Sequence, residues 1–331
     1  MERTEQTQSV STSLDAHKGA AMLFAAAFAA VGSLALPAYA ETTATTYGFE
    51  EVDDVDIFYR ETGDPANPTI VMLHGFPSSS HQYRNLLRDL SADYHVIAPD
   101  YPGFGASEFP SPDDFDYTFD NLANSMNTFI KQRGITEYAL VLHDYGAPVG
   151  FRIALEHPER VTALLVQNGN AYIEGVNPAA SEPLQALWEN RTPEVDAQVA
   201  ANLFNLEALQ WQYTHGTRNP DGILPDNWFL DFERVSRPGQ HQAQLDLLTD
   251  YTSNIAAYPT WQAYLREHQP PVLVTWGQND AFFAPAGAEG YASDVSDVEI
   301  HLLDTGHFPL EEEGPFIAST IKTFLAARGI E

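Results

Sequence analysis

From Tyr47 onward, short apolar runs alternate with stretches of helical spacing, the pattern of a parallel sheet buried between helices. VDIFYRETG reads as a strand entering a turn. TIVMLHGFP (69–77) reads as a buried strand closed by Gly and Pro, and YHVIAPDYPGFGAS (94–107) as another, broken by the same residue types. Helical spacing runs from Tyr117 to Arg133, and Gly134 ends it. EYALVLHD is the next strand, GAPVGFRIALEHP a helix halted by Pro158, and VTALLVQNG a further strand. PPVLVTWG (270–277) and VEIHLLD (298–304) are two more, each followed by a helix. Between Gly169 and about Ala256 the alternation stops, and Trp, Tyr, Phe, Leu and Gln recur at helical spacing. A stretch of about 85 residues is too long for a loop. It is expected to fold as a helical cap over the C-terminal edge of the strands, where such sheets bind ligands.

The N-terminal segment differs. AAMLFAAAFAAVGSLAL (20–36) is an apolar run of signal-peptide length, followed by Pro37 and the small-x-small site Ala38-Tyr39-Ala40. It is shorter than the ~20 residues of a membrane-spanning helix. Glu2, Glu5 and Asp15 set against Arg3 and Lys18 depart from the usual positive leader. The expectation is a signal peptide at 1–40 and an exported protein, with a retained anchor as the alternative. The mature chain divides into a first core part at 41–169, a cap at 170–256 and a second core part at 257–331.

Composition narrows the chemistry. The chain is 44% hydrophobic, ample for a packed core, and contains no cysteine, which removes disulfides and thiolate catalysis. Its formal charge of -30 repels nucleic acid and anionic membrane surfaces, so neither is expected as a partner. The histidines show no paired metal-ligand spacing, and GFGAS follows a strand without opening a helix, so no metal and no cofactor are expected. The oligomeric state is not encoded in any motif.

LVLHDYGAPVG (140–150) places a carboxylate at the corner between a buried strand and a helix. Asp144 suits a helix N-cap, but two other residues share its kind of position. Asp280 lies just past the strand ending TWG, and His307 lies in the loop after HLLD. The chain order Asp144, Asp280, His307 resembles the nucleophile–acid–base order of the α/β-hydrolase fold, with Asp where lipases carry Ser. LHGFP resembles the oxyanion loop of that fold and DYPGFGAS its next turn, so the resemblance covers residues 47 to 331. It implies an α/β-hydrolase fold: a mostly parallel eight-stranded sheet flanked by helices, with an inserted helical cap. His74 and His143 read as structural residues around the corner.

An Asp in this role implies attack on an sp3 carbon to form an alkyl ester, which His307, oriented by Asp280, hydrolyses by drawing a proton from water. The backbone N–H groups of Phe76 and Tyr145 are the implied oxyanion donors, each worth roughly 3–4 kcal/mol. Haloalkane dehalogenases look like HGNP and HDWG, with Asn and Trp side chains holding halide; here Phe76 and Tyr145 stand at those positions. Fluoroacetate dehalogenases carry Arg where this chain has Tyr145 and Pro148. Epoxide hydrolases look like HGFP and HDWGAP, and this chain departs from them only at Tyr145. That family protonates the ring oxygen with cap tyrosines, which points to Tyr251 and to Tyr213, or to Thr252 if the alignment slips by one. Trp211, Phe204 and Trp261 are candidate pocket walls. The expected activity is therefore conversion of a small neutral epoxide, with water, to a diol. The alternatives are a dehalogenase with an atypical halide site, or a non-catalytic protein that binds a small apolar ligand.

Overall fold

The computed structural model describes residues 43–331, so the expected signal segment and its cleavage site lie outside the described residues. Eight strands form one sheet in the order β1-β2-β4-β3-β5-β6-β7-β8. They are β1 (Thr46–Val52), β2 (Val55–Thr62), β3 (Thr69–Leu73), β4 (His95–Pro99), β5 (Tyr138–His143), β6 (Val161–Gln167), β7 (Val272–Gly277) and β8 (Val298–Leu303). β2 pairs antiparallel with both β1 and β4, and every other pairing is parallel. β1 is the strand that the apolar pattern does not single out. It lies at the sheet's edge with most of its residues exposed or half-buried, so burial imposes no hydrophobic run on it.

β3, β4 and β5 are apolar on both faces because both faces are covered. Ile70, Met72, Val96, Ala139, Val141 and Leu165 pack with α1 (Arg84–Leu90) and α11 (Leu310–Ala326). Val71, Leu73, Leu140, Leu142, Leu164 and Val274 point the other way, towards α2 (Phe119–Gln132), α3 (Gly146–Glu156), α10 (Pro285–Asp294) and the C-terminal half of α9 (Gln240–His268). The period-two alternation of side chains assigns each residue to its layer.

Between β6 and β7 come α4 (Pro178–Ser181), α5 (Gln185–Glu189), α6 (Pro193–Leu203), α7 (Leu206–Thr214), α8 (Asp226–Val235) and α9. Two small apolar clusters hold them together, one around Leu187, Phe204 and Leu245, the other around Leu209, Tyr213 and Trp228. The boundary expected at 256 falls inside α9. This helix runs unbroken for 29 residues through Pro259; Leu245 and Leu248 in its first half pack with the cap, while Ala243, Leu247 and its second half pack with the core. The composition shift at Ala256 therefore does not mark a break in the chain. Among the described residues, no helix is long and apolar enough to cross a membrane.

Candidate active site

β5 delivers Asp144 at the centre of the sheet's C-terminal edge, and α3 begins two residues later. The turn is so tight that Asp144 adopts φ +50, which among non-glycine residues Asp and Asn tolerate best. Its neighbours must give way. A Cβ on Gly146 would lie 2.1 Å from the Leu73 carbonyl oxygen, and one on Gly75 would lie 2.4 Å from the Asp144 Cβ. Glycine at both positions lets the oxyanion loop after β3 close against the corner.

The Phe76 N–H donates to Asp144 Oδ1 at 2.7 Å, and the Tyr145 N–H also serves the carboxylate. On its other side, Asp144 Oδ2 lies 3.8 Å from His307 Nε2. His307 Nδ1 donates to Asp280 Oδ2 at 2.8 Å, which leaves Nε2 as the free nitrogen facing Asp144. The three residues predicted from sequence thus converge, and all three are buried.

Asp280 is itself held by two donors. The Phe282 N–H reaches Oδ1 at 2.7 Å, and the Asn168 side-chain amide reaches Oδ2 at 2.7 Å. Asn168 also accepts the Gly277 N–H at 2.9 Å, so it ties the ends of β6 and β7 together at the position that orients Asp280. Sequence reasoning passed over this residue. The available signal was the polar run Gln167–Asn168–Gly169–Asn170 following a buried strand.

Burial pushes the Asp144 carboxyl up to about 6, against the lowering pull of His307 and of the two backbone donors. Burial pulls the His307 imidazole down, but the carboxylates of Asp280 and Asp144 outweigh it, and the net shift is upward. His74 and His143 are neutral because burial lowers both, His74 to about 4. Both have structural roles. The His143 Nε2–H donates to the His307 carbonyl at 2.9 Å, and His74 Nε2 accepts the Tyr101 N–H at 3.2 Å.

A cavity opens above Asp144 and His307. Its walls are mostly apolar, with Leu184, Trp188 and Leu248 from the cap and Phe76, Phe282 and Phe283 from the core. Tyr251 lines it, at 6.3 Å ring to ring from Tyr145. Thr252, its neighbour in sequence, is exposed and turns its hydroxyl back to the Thr249 carbonyl. Gln212 and Trp188 also line the cavity and were not among the expected residues.

Four expectations are corrected. Tyr213 does not reach the cavity; its hydroxyl donates to buried Asp231 at 2.6 Å and its ring stacks on Phe308 at 4.0 Å. The neighbouring Gln212 takes the cavity-facing position on α7 instead. Trp211 is 43% exposed and leans on His215 at the surface. Trp261 is core, stacked on Phe151 at 5.1 Å. Phe204 backs the Phe76 ring at 5.8 Å from within the cap cluster. Tyr213, Trp211 and Trp261 lie on aromatic-rich helices and Phe204 caps the end of α6, and composition cannot distinguish the face that packs from the face that lines a cavity.

A strand–acid–helix corner, a histidine paired with a second acid and an inserted helical cap define a class, and comparison with known proteins agrees. The family described as alpha/beta hydrolase fold matches residues 68–314, and the chain belongs to it. It is 41% identical over 276 residues to the uncharacterized hydrolase YNR064C of Saccharomyces cerevisiae, spanning 83% of this chain and 94% of that one. It is 40% identical over 294 residues to a haloalkane dehalogenase of Bradyrhizobium diazoefficiens, spanning 82% and 91%. Among solved structures, the epoxide hydrolase CorEH superposes with a TM-score of 0.71 at 18% identity, over 86% of this chain and 99% of that one, a likeness of fold alone. The chain is a hydrolase whose relatives include both haloalkane dehalogenases and epoxide hydrolases.

Proposed function

We propose that the protein hydrolyses epoxides to diols through an alkyl ester on Asp144. The observation that carries this is the placement of the two Asp144 oxygens. Oδ1 is held by the Phe76 N–H, and Oδ2 faces the cavity beside His307. Oδ2 attacks an epoxide carbon, the ring C–O bond breaks, and a proton from the Tyr251 hydroxyl goes to the departing oxygen. His307 then takes a proton from water, and the resulting hydroxide adds to the ester carbonyl. The negative charge develops on Oδ1, where a backbone donor is already in place. Collapse releases the diol and regenerates the carboxylate. The apolar walls suit a small neutral substrate, and no cofactor enters any step.

A dehalogenase is the second reading, favoured by the 40% identical relative. A departing halide needs side-chain donors, and this cavity offers few. Phe76 has none, the Trp188 indole N–H is committed to the Leu248 carbonyl at 2.8 Å, and the Tyr145 hydroxyl is sealed from solvent. An epoxide needs an acid and no halide site, and Tyr251 is such an acid. With 1,2-epoxyhexane and 1-bromohexane as matched probes, diol should form from the first, with little bromide from the second. Bromide release without diol would reverse the assignment.

The ionisation of Asp144 and His307 predicts two different acid limbs. Attack needs the Asp144 carboxylate, so kcat/KM should fall as the pH drops through about 6. Ester hydrolysis needs neutral His307, whose affinity for a proton is raised, so where hydrolysis limits turnover kcat should keep rising at a higher pH than kcat/KM. Initial rates across pH 4.5–9 check both limbs.

A further inference from the structure

A second cleft lies over the junction of α6 and α7, with Glu207, Ala208 and Trp211 of α7 along one side. Three further residues, Leu203, Gln212 and Phe282, line both this cleft and the cavity above Asp144. The two spaces are therefore neighbours across a wall one side chain thick. Phe282 spans that wall. Its ring meets His307 edge to face at 4.9 Å and Trp211 edge to face at 6.0 Å. Its N–H holds Asp280 at 2.7 Å, which fastens the wall to the residue that orients His307. Trp211 also rests against His215 at 4.4 Å, so the indole is held from two sides while 43% of the residue stays exposed. A lone exposed aromatic needs no explanation. One held in place beside an apolar cavity, in a cleft that shares three residues with it, offers a rigid face to an apolar chain.

We propose that this cleft is the distal subsite of the catalytic cavity and takes the uncharged apolar tail of an epoxide whose ring is opened at Asp144. The subsite rests on the reading of the cavity as an epoxide-opening site. The tail runs between Leu203 and Phe282, both only half-buried, and lies on the Trp211 indole. Its contacts are the same before and during ring opening, so they lower KM and leave kcat alone. Glu207, exposed at the edge of the cleft, sets the charge of the tail: a carboxylate there would meet a like charge, on a chain whose net charge is already -30. Chains long enough to cross the wall gain the outer contacts, and short epoxides occupy the inner cavity alone.

Chain length reads the subsite. Trp211→Ala should raise KM for 1,2-epoxydecane about tenfold with kcat little changed, whereas KM for 1,2-epoxybutane should move by less than about twofold. Ala208→Phe, which fills the cleft and leaves the indole in place, should give the same pattern. Equal losses on the two epoxides would mean that Trp211 merely supports α7, and no loss on either would mean that the tail lies elsewhere; each overturns the subsite. A kcat/KM for 10,11-epoxyundecanoate as high as that for 1,2-epoxydecane would overturn the uncharged tail. If the unaltered protein forms diol from neither epoxide, the reading of the cavity as an epoxide-opening site fails, and binding alone still judges the cleft. By calorimetry, 1-decanol should bind Trp211→Ala about tenfold more weakly than the unaltered protein. Equal binding of 1-decanol to the two proteins overturns the subsite, a result separate from the absence of diol.

Discussion

Replacing Asp144 with Asn should reduce epoxide turnover by more than about 10⁴-fold, because it removes the atom that the proposed mechanism bonds to carbon. Asn is the informative substitution at this corner. It tolerates φ +50, keeps a carbonyl oxygen for the Phe76 N–H, and nearly preserves volume. The loss is therefore chemical and not a collapse of the turn. The same variant should be more stable than the parent protein. Burial raises the Asp144 carboxyl from 3.8 to about 6, net of the pull of His307, so above pH 6 the ionised group costs up to about 3 kcal/mol of folding free energy. A raised carboxyl contributes its stability at low pH and loses it as the pH passes through the folded value. The gain in Tm should accordingly be largest near pH 8 and shrink towards pH 5. An inactive variant with a lower Tm at pH 8 would show that the corner needs the charge for its structure.

Replacing His307 with Gln should separate the two half-reactions. On the proposed route, attack by Asp144 does not require the imidazole, whereas hydrolysis of the ester does, and loss of a general base costs about 10²–10⁴-fold. Gln can still donate to Asp280, so the loop keeps its anchor. The variant incubated with an epoxide should gain the full mass of that epoxide on the peptide carrying residue 144, read by intact and peptide mass spectrometry. An alkyl halide would leave only its alkyl group, so the size of the increment identifies the bond that broke. An unmodified peptide 144 while diol accumulates would exclude the covalent route.

The sheet and the convergence of Asp144, Asp280 and His307 were legible for a common reason. Strands buried on both faces have no choice but to be apolar, and the turns at their C-terminal ends carry Asp144, Asp280 and His307 at places the sheet geometry dictates. β1 was not legible because an edge strand is under no such constraint. The cap was legible as helical and little further. Tyr251, Tyr213, Trp211 and Trp261 are all aromatic residues on helices, and only packing shows that Tyr251 faces the cavity, Tyr213 faces Asp231, Trp211 faces solvent and Trp261 faces Phe151. Asn168 escaped notice because its work is done across 112 positions of chain, through a partner in the loop after another strand.

The unbroken course of α9 determines which part of the roof can yield. On either side of Tyr251, this helix is fastened to the scaffold: Asp250 accepts the first N–H of α2 at 2.8 Å, and Asn254 accepts from Arg152 of α3 at 2.8 Å. A guest molecule therefore meets Tyr251, the proposed acid, at a separation fixed when the chain folds. Variants selected for bulkier guests should accumulate changes around Pro183, Leu184 and Trp188 and leave the crossbeam untouched.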